Sequence, residues 1–348
     1  MRGSGLVEGM QAYKPHLLLI LMNLGIAGLL VLTKSALSTG MSAPVLLVYQ
    51  HVVATLVLTP MAYFEREKRP PLSFKILGWA CILAFLEIMV VQFLYTVSLR
   101  FISASFQSTV TNAETAVTLV LALVFGQEKL GFWRIEGQAK VLGVVTSTVG
   151  STVMVLWTGP TILKTLHIDG GSPSLDHVTG GLMLVLAMLA ESTWFLLMGP
   201  AVRMYPEGSL MAMMSCFGTI QTTIVAAITE RKASSWAIDF GGGLELATIL
   251  YGGALAQGLS YYALAWCINK KGPVFTIAFS PLSIIGSCLL ETILFGEPIY
   301  LGSILGAMMV VGGLYLLLWA QAKEAKAEMR RSGDGGTSYE SIRNDWET

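Results

Sequence analysis

Charge is what this chain has least of. Only 13% of its 348 residues are Asp, Glu, Lys or Arg, against about 25% in ordinary soluble domains. Basic and acidic residues number 22 each and cancel. The basic ones are scattered over loops, so the sequence offers no surface for a nucleic acid. Four cysteines, Cys81, Cys216, Cys267 and Cys288, stand inside apolar runs. They show neither disulfide-framework nor zinc spacing. No P-loop, nucleophile elbow, zincin motif or paired metal ligands occur, and no nucleophile–base set is visible. No enzyme chemistry, cofactor or metal is expected.

What is present is apolar. Hydrophobic residues make up 54% of the chain, and its mean hydropathy is +0.65. Ten apolar stretches recur, at 17–37, 43–63, 75–98, 103–125, 139–158, 180–200, 208–229, 245–267, 273–294 and 300–320. Each is long enough to cross a hydrocarbon core of about 30 Å as a helix. They leave no room for a sizeable soluble domain. The first stretch carries Lys34 at its far end and lacks a clear cleavage site, so it reads as a span rather than a signal peptide. With the N-terminus in the cytoplasm, 17 of the 22 basic residues fall on the inner side. The positive-inside rule therefore places both termini in the cytoplasm and favours an even number of spans.

The sequence divides at its longest polar connection. Residues 1–16 form an inner N-terminus, 17–158 a first group of five spans, and 159–179 an outer linker. Residues 180–320 form a second group of five, and 321–348 a charged tail expected to be disordered. Because five is odd, the second group enters the membrane inverted relative to the first. A repeated polar stripe connects the two groups. Gln107, Thr111, Glu114 and Thr118 lie on one helix face, and Thr276, Ser280, Ser283 and Ser287 repeat the spacing 169 residues later. Duplicated polar faces in inverted halves are how many secondary transporters enclose a wet midplane cavity. The plainer alternative is that these small hydroxyls bond to their own backbone or serve helix packing.

Three acids fall at span centres: Glu87, Glu114 and Glu191. A charge there costs roughly 2.5–3.5 kcal/mol on insertion scales, so each must face the interior, pair, or hold a proton. They are the candidates for proton coupling. Substrate-lining candidates are Gln92, Tyr95, Gln107, Thr111, Asn112, Glu114, Trp194, Gln257, Tyr261, Thr276, Ser280 and Ser283. Amides, hydroxyls and aromatic faces of this kind suit a small organic solute with an amine or carboxylate. Pro281, directly after Ser280, is expected to free a backbone carbonyl inside its span.

Particular motifs carry a family resemblance. Gly272-Pro273-Val274-Phe275, Phe279-Ser280-Pro281-Leu282, Phe295-Gly296-Glu297, Tyr300-Leu301-Gly302-Ser303 and Gly313-Leu314-Tyr315 up to Trp319 lie in the second half. Lys14-Pro15, Gly40-Met41-Ser42, Phe64-Glu65-Arg66, Gln138-Ala139-Lys140 and Gly159-Pro160 lie in the first, with Tyr205-Pro206, Glu230-Arg231 and Trp266-Cys267 further on. Together they resemble the plant Walls-Are-Thin-related family, also called nodulin-like or UmamiT, of the drug/metabolite transporter superfamily with two EamA repeats. The resemblance implies an all-α membrane protein of ten transmembrane helices in two inverted five-helix EamA repeats. It also implies facilitated or proton-linked movement of amino acids or auxin-like compounds across the plasma or vacuolar membrane.

The chain departs from that pattern where substrate is expected. Tyr49-Gln50 replaces Tyr-Arg, and Ser103-Ala104 replaces Ser/Thr-Pro. Asn112-Ala113-Glu114-Thr115-Ala116 loses a proline and gains an acid, while Leu264 and Met198 stand where glutamines are usual. The expectation is a transporter of a small-molecule substrate in the lipid bilayer, with protons as a partner and no nucleic acid. The alternatives are a nucleotide-sugar or other metabolite carrier of the same superfamily, which would want Lys or Arg at its centre, and a non-transporting membrane sensor or scaffold.

Overall fold

The computed structural model describes residues 2–98, 101, 111, 113–128, 134–156, 175–238, 243–295 and 301–334. Every regular element among them is helical. The first half contains α1 (Arg2–Ser38), α2 (Ala43–Phe64), α3 (Phe74–Ala84), α4 (Gln92–Ser98), α5 (Glu114–Val124) and α6 (Ile135–Leu156). The second contains α7 (Leu175–Met204), α8 (Glu207–Thr229), α9 (Leu244–Tyr251), α10 (Tyr261–Lys271), α11 (Pro273–Ile277), α12 (Pro281–Phe295) and α13 (Leu301–Asp334). Helices α3 and α4 are continuous through a π-helical segment, Phe85–Val91, and α9 and α10 through another, Gly252–Ser260. Joined in this way, with α11 and α12 as one broken rod, the elements make ten rods at the places of the ten predicted spans. Among the described residues, six helical stretches are individually long and apolar enough to cross a membrane.

The rods pack as an inverted pair. Rod 2 (α2) lies on rod 7 (α8), and rod 5 (α6) lies on rod 10 (α13); both pairs map onto themselves when the halves are exchanged. Rod 1 packs on rods 8 and 9, while rod 6 packs on rods 3 and 4, which is the exchanged arrangement. The contacts of rod 2 with rod 8 and of rod 7 with rod 3 exchange in the same way. The π-helical segments fall in rods 3 and 8, so even this departure from α geometry is duplicated.

Small residues set the closest approach. A Cβ added at Gly143 on α6 would sit 2.7 Å from the Gly313 carbonyl oxygen on α13, and one at Gly150 would sit 2.8 Å from that of Gly306. Seven residues forward on α6 is seven back on α13, so the pair runs antiparallel. With no apolar driving force between helices in lipid, such backbone-to-backbone packing supplies much of the association. In the structure Gly312 has open space beside it, and its neighbour Gly313 makes the contact.

Outside, apolar side chains form stripes at helical spacing, such as Ile220, Ile224 and Ile228 on α8. A water-soluble chain does not leave such patches open; lipid covers them. Inside, Trp194, Phe195 and Met198 of α7 pack in one core with Phe275 and Phe279 of rod 9 and Met211 and Met214 of α8. Rod 9 begins abruptly: Gly272, at φ +87, ends α10, and Pro273 starts α11 at once. Only glycine takes that backbone angle freely.

Candidate functional site

The three central acids come from different rods and meet. Glu87 stands in the π-helical segment of rod 3, Glu114 in the first turn of α5, and Glu191 midway along α7, which packs against both. Glu87 and Glu114 are 5% and 6% exposed. The Tyr261 hydroxyl donates to Glu87 Oε1 at 2.9 Å, and the Tyr95 hydroxyl donates to Glu191 Oε2 at 2.6 Å. The Glu114 and Glu191 carboxyls are within hydrogen-bond reach of each other. Two carboxyl groups bond only when one supplies a proton, so a bond between these two needs one.

Aromatic groups wall the acids. Trp194 lies one turn beyond Glu191 and is 1% exposed. Its ring stands edge-on to Phe195 at 5.1 Å and to Tyr261 at 6.0 Å. Gln92 reaches the Tyr261 hydroxyl. Among the described residues no cation acts on the three acids; their neighbours there are the other acids and the tyrosine hydroxyls. The buried cation of the described region, Lys140, is held elsewhere, by Glu128 at 2.9 Å and Glu324 at 2.8 Å.

The proline acts as its chemistry dictates. Pro281 has no N–H to give the carbonyl four residues before it, that of Ile277. Rod 9 breaks there. The freed carbonyl accepts instead from the Ser280 N–H at 3.0 Å and, across the half interface, from the Thr115 hydroxyl at 3.3 Å. Thr118 on the same face of α5 bonds Ser192 of α7 at 3.0 Å.

Of the predicted lining, the fold brings together Glu87, Gln92, Tyr95, Glu114, Glu191, Trp194 and Tyr261. The second stripe behaves differently. Thr276 donates to its own Gly272 carbonyl, Ser283 to that of Ser280 and Ser287 to that of Ile284. These hydroxyls follow the plainer alternative and satisfy their own helix. Gln257 lies in the second π-helical segment, and its buried Oε1 finds no partner among the described residues. Thr111 is half-buried. Gln107 and Asn112 lie outside the described residues.

Two interactions went unread in the sequence. Glu65, just past α2, accepts from the Gly208 N–H at 3.2 Å, the Ser209 N–H at 2.9 Å and the Ser209 hydroxyl at 3.1 Å. These are first-turn donors of α8, which have no partner within their own helix. Its counterpart in the other half is Glu230, just past α8, which accepts from the hydroxyl of Ser42, the N-cap of α2, at 2.8 Å. Since α2 and α8 run antiparallel, the two clasps lie on opposite faces of the membrane. Both are closed here. The signal was available in Glu65-Arg66 and Glu230-Arg231, the same dipeptide at the ends of the second and seventh spans.

Ten rods in two inverted fives, packed around buried acids, define a membrane protein of the inverted-repeat class. The profile of the EamA-like transporter family matches residues 14–156 and 178–319, one match for each half. The chain belongs to that family. It is similar over most of its length to WAT1-related proteins of Arabidopsis thaliana. One is 34% identical, with 91% of this chain and 85% of that one aligned. Another is 37% identical, with 90% and 87% aligned. The protein WALLS ARE THIN 1 of the same plant is 32% identical, with 89% and 84% aligned. A crystal structure of a protein only 16% identical aligns at a TM-score of 0.63 over 86% of this chain and 98% of its own, which shows the fold alone.

Proposed function

We propose that this chain is a secondary transporter of small organic solutes, working by alternating access around the Glu87–Glu114–Glu191 cluster and coupled to protons. Amino acids come first as substrates and auxin-like acids second. The observation that carries the reading is the junction of Glu114 and Glu191 within reach of Tyr95, a proton-holding group at the interface of the two halves. Intramembrane carboxyls so placed mark proton relays and solute pathways. The charge distribution supports cytoplasmic termini, and the family resemblance supports the plasma or vacuolar membrane.

A nucleotide-sugar or phosphate-ester carrier needs cationic clamps at its centre, and the acids here have none beside them among the described residues. A sensor or scaffold has no use for paired clasps on opposite faces. The deciding experiment is flux in proteoliposomes with a panel of amino acids, auxin and sugars across a range of pH. Glu114→Gln should abolish the pH dependence of flux. Unchanged pH-dependent transport in that variant would reject its role.

A further inference from the structure

On the basis of that transporter reading, we propose that Glu87, Glu114 and Glu191, with Tyr95, Trp194 and Tyr261, form a binding site for an organic cation. Its substrate is a primary amine on an apolar or aromatic body, which narrows the range proposed above to solutes carrying an ammonium group and sets the auxin-like acids aside. Charge balance is the first argument. Three carboxyl groups share the site, and among the described residues no lysine, arginine or other cation acts on them. An anion entering here would join three acids in a low-dielectric interior with nothing to offset it. An ammonium supplies the missing opposite charge, and protons hold its place when it is absent.

The unsatisfied atoms are a separate observation. Glu87 Oε2 and Glu114 Oε1 are buried acceptors with no donor among the described residues. Against them stands one orphan donor, the Trp194 indole N–H. Buried polar groups are ordinarily bonded, so a ligand that completes this set must bring more donors than acceptors. A primary ammonium has three donors and no acceptor. The indole N–H leaves room for one acceptor elsewhere on the ligand, such as a hydroxyl.

The walls fit the same chemistry. Tyr261 and Tyr95 meet the acids through their hydroxyls, and Trp194 packs edge-on to Tyr261; an ammonium group is attracted to such aromatic side chains when water is excluded. A bare metal ion fits less well: among the described residues no three His, Cys, Asp or Glu side chains, these acids included, stand close enough to hold one. The tyrosine hydroxyls already occupy one oxygen of Glu87 and one of Glu191, which leaves single oxygens pointing inward rather than a ligand cage.

The test uses three indoles that differ mainly in charge: tryptamine, tryptophan and indole-3-acetate. Full-length protein in proteoliposomes should move tryptamine faster than indole-3-acetate by about tenfold or more, the worth of one charge-assisted hydrogen bond. Glu87→Gln and Glu114→Gln should each remove most of that flux. Tryptamine should also raise the thermal midpoint of the wild-type protein in detergent but not that of Glu114→Gln, a readout independent of turnover. Transport of tryptophan or indole-3-acetate without tryptamine would overturn the amine assignment and leave the transporter reading standing. Silence of all three, in protein that runs as a single folded species, would overturn both.

Discussion

Removing the Glu65 clasp should open one face of the protein and leave the other closed. Glu65→Ala deletes three hydrogen bonds to the first turn of α8. A buried bond to a charged group contributes about 1.5–3 kcal/mol, whereas a carboxylate at an exposed helix start contributes about 0.3–1 kcal/mol. Glu65 is half-buried, so the three together come to about 2 kcal/mol, or about 30-fold in the ratio of closed to open states. Glu230 holds Ser42 by one bond, worth about 1 kcal/mol, or about fivefold. The readout is a cysteine at Ser280, in the half-buried turn that breaks rod 9, with the four native cysteines replaced by serine. A membrane-impermeant maleimide applied from the Glu65 face should label this cysteine about 30-fold faster in Glu65→Ala. From the opposite face labelling should be unchanged. Glu230→Ala should reverse the sidedness with the smaller effect. Equal labelling from both faces in both variants would refute the clasps as opposed gates and leave them as ordinary helix caps.

Three further outcomes follow from the packing. Gly143→Leu should separate α6 from α13 and lower the thermal midpoint, at about 1–3 kcal/mol for forced overpacking; Gly312→Leu, which faces an apolar groove with open space, should leave the midpoint unchanged. Pro281→Ala should restore the missing N–H to the Ile277 carbonyl, straighten rod 9 and slow flux while the protein still folds, which limited proteolysis and transport rates would separate. Lys140→Met should strand Glu128 and Glu324, but both are partly open to solvent. The loss should therefore fall short of the about 3–5 kcal/mol seen for fully buried pairs, and raising the salt concentration should narrow the gap from wild type.

The spans were legible because lipid imposes one demand on every one of them: about 20 apolar residues in sequence. The central acids were legible for the complementary reason, that a carboxyl in such a run has no cheap environment except the interior. What the sequence concealed depends on backbone geometry. Nothing in Phe85–Val91 announces a π-helical segment, yet that widened turn sets the facing that lets Glu87 meet Tyr261 while Tyr95, two turns on, meets Glu191. The partners of the second polar stripe were hidden for a related reason. Spacing gives the face of a hydroxyl but not its partner, and Thr276 and Ser283 have a carbonyl of their own helix within reach. The clasps were hidden by position, since an acid at the end of a span is usually just solvated.

The symmetry and the chemistry of this molecule have different sources. The frame is duplicated: clasp for clasp, π segment for π segment, and glycine against glycine along α6 and α13. The acids are not. Glu114 repeats as Ser283, and no Asp or Glu occurs between Lys14 and Ser38, between Ala247 and Lys271, or between Pro273 and Leu290. Rods 1, 8 and 9, which correspond to the acid-bearing rods 6, 3 and 4, therefore offer no second cluster. A two-fold frame makes the inward and outward openings nearly equal in energy, because each is the other with the halves exchanged. A one-sided set of acids breaks that equality only through what occupies it. Whichever proton or solute sits at Glu87, Glu114 and Glu191 thus biases an otherwise balanced equilibrium, and a ligand can shift such an equilibrium only by its difference in affinity for the two states.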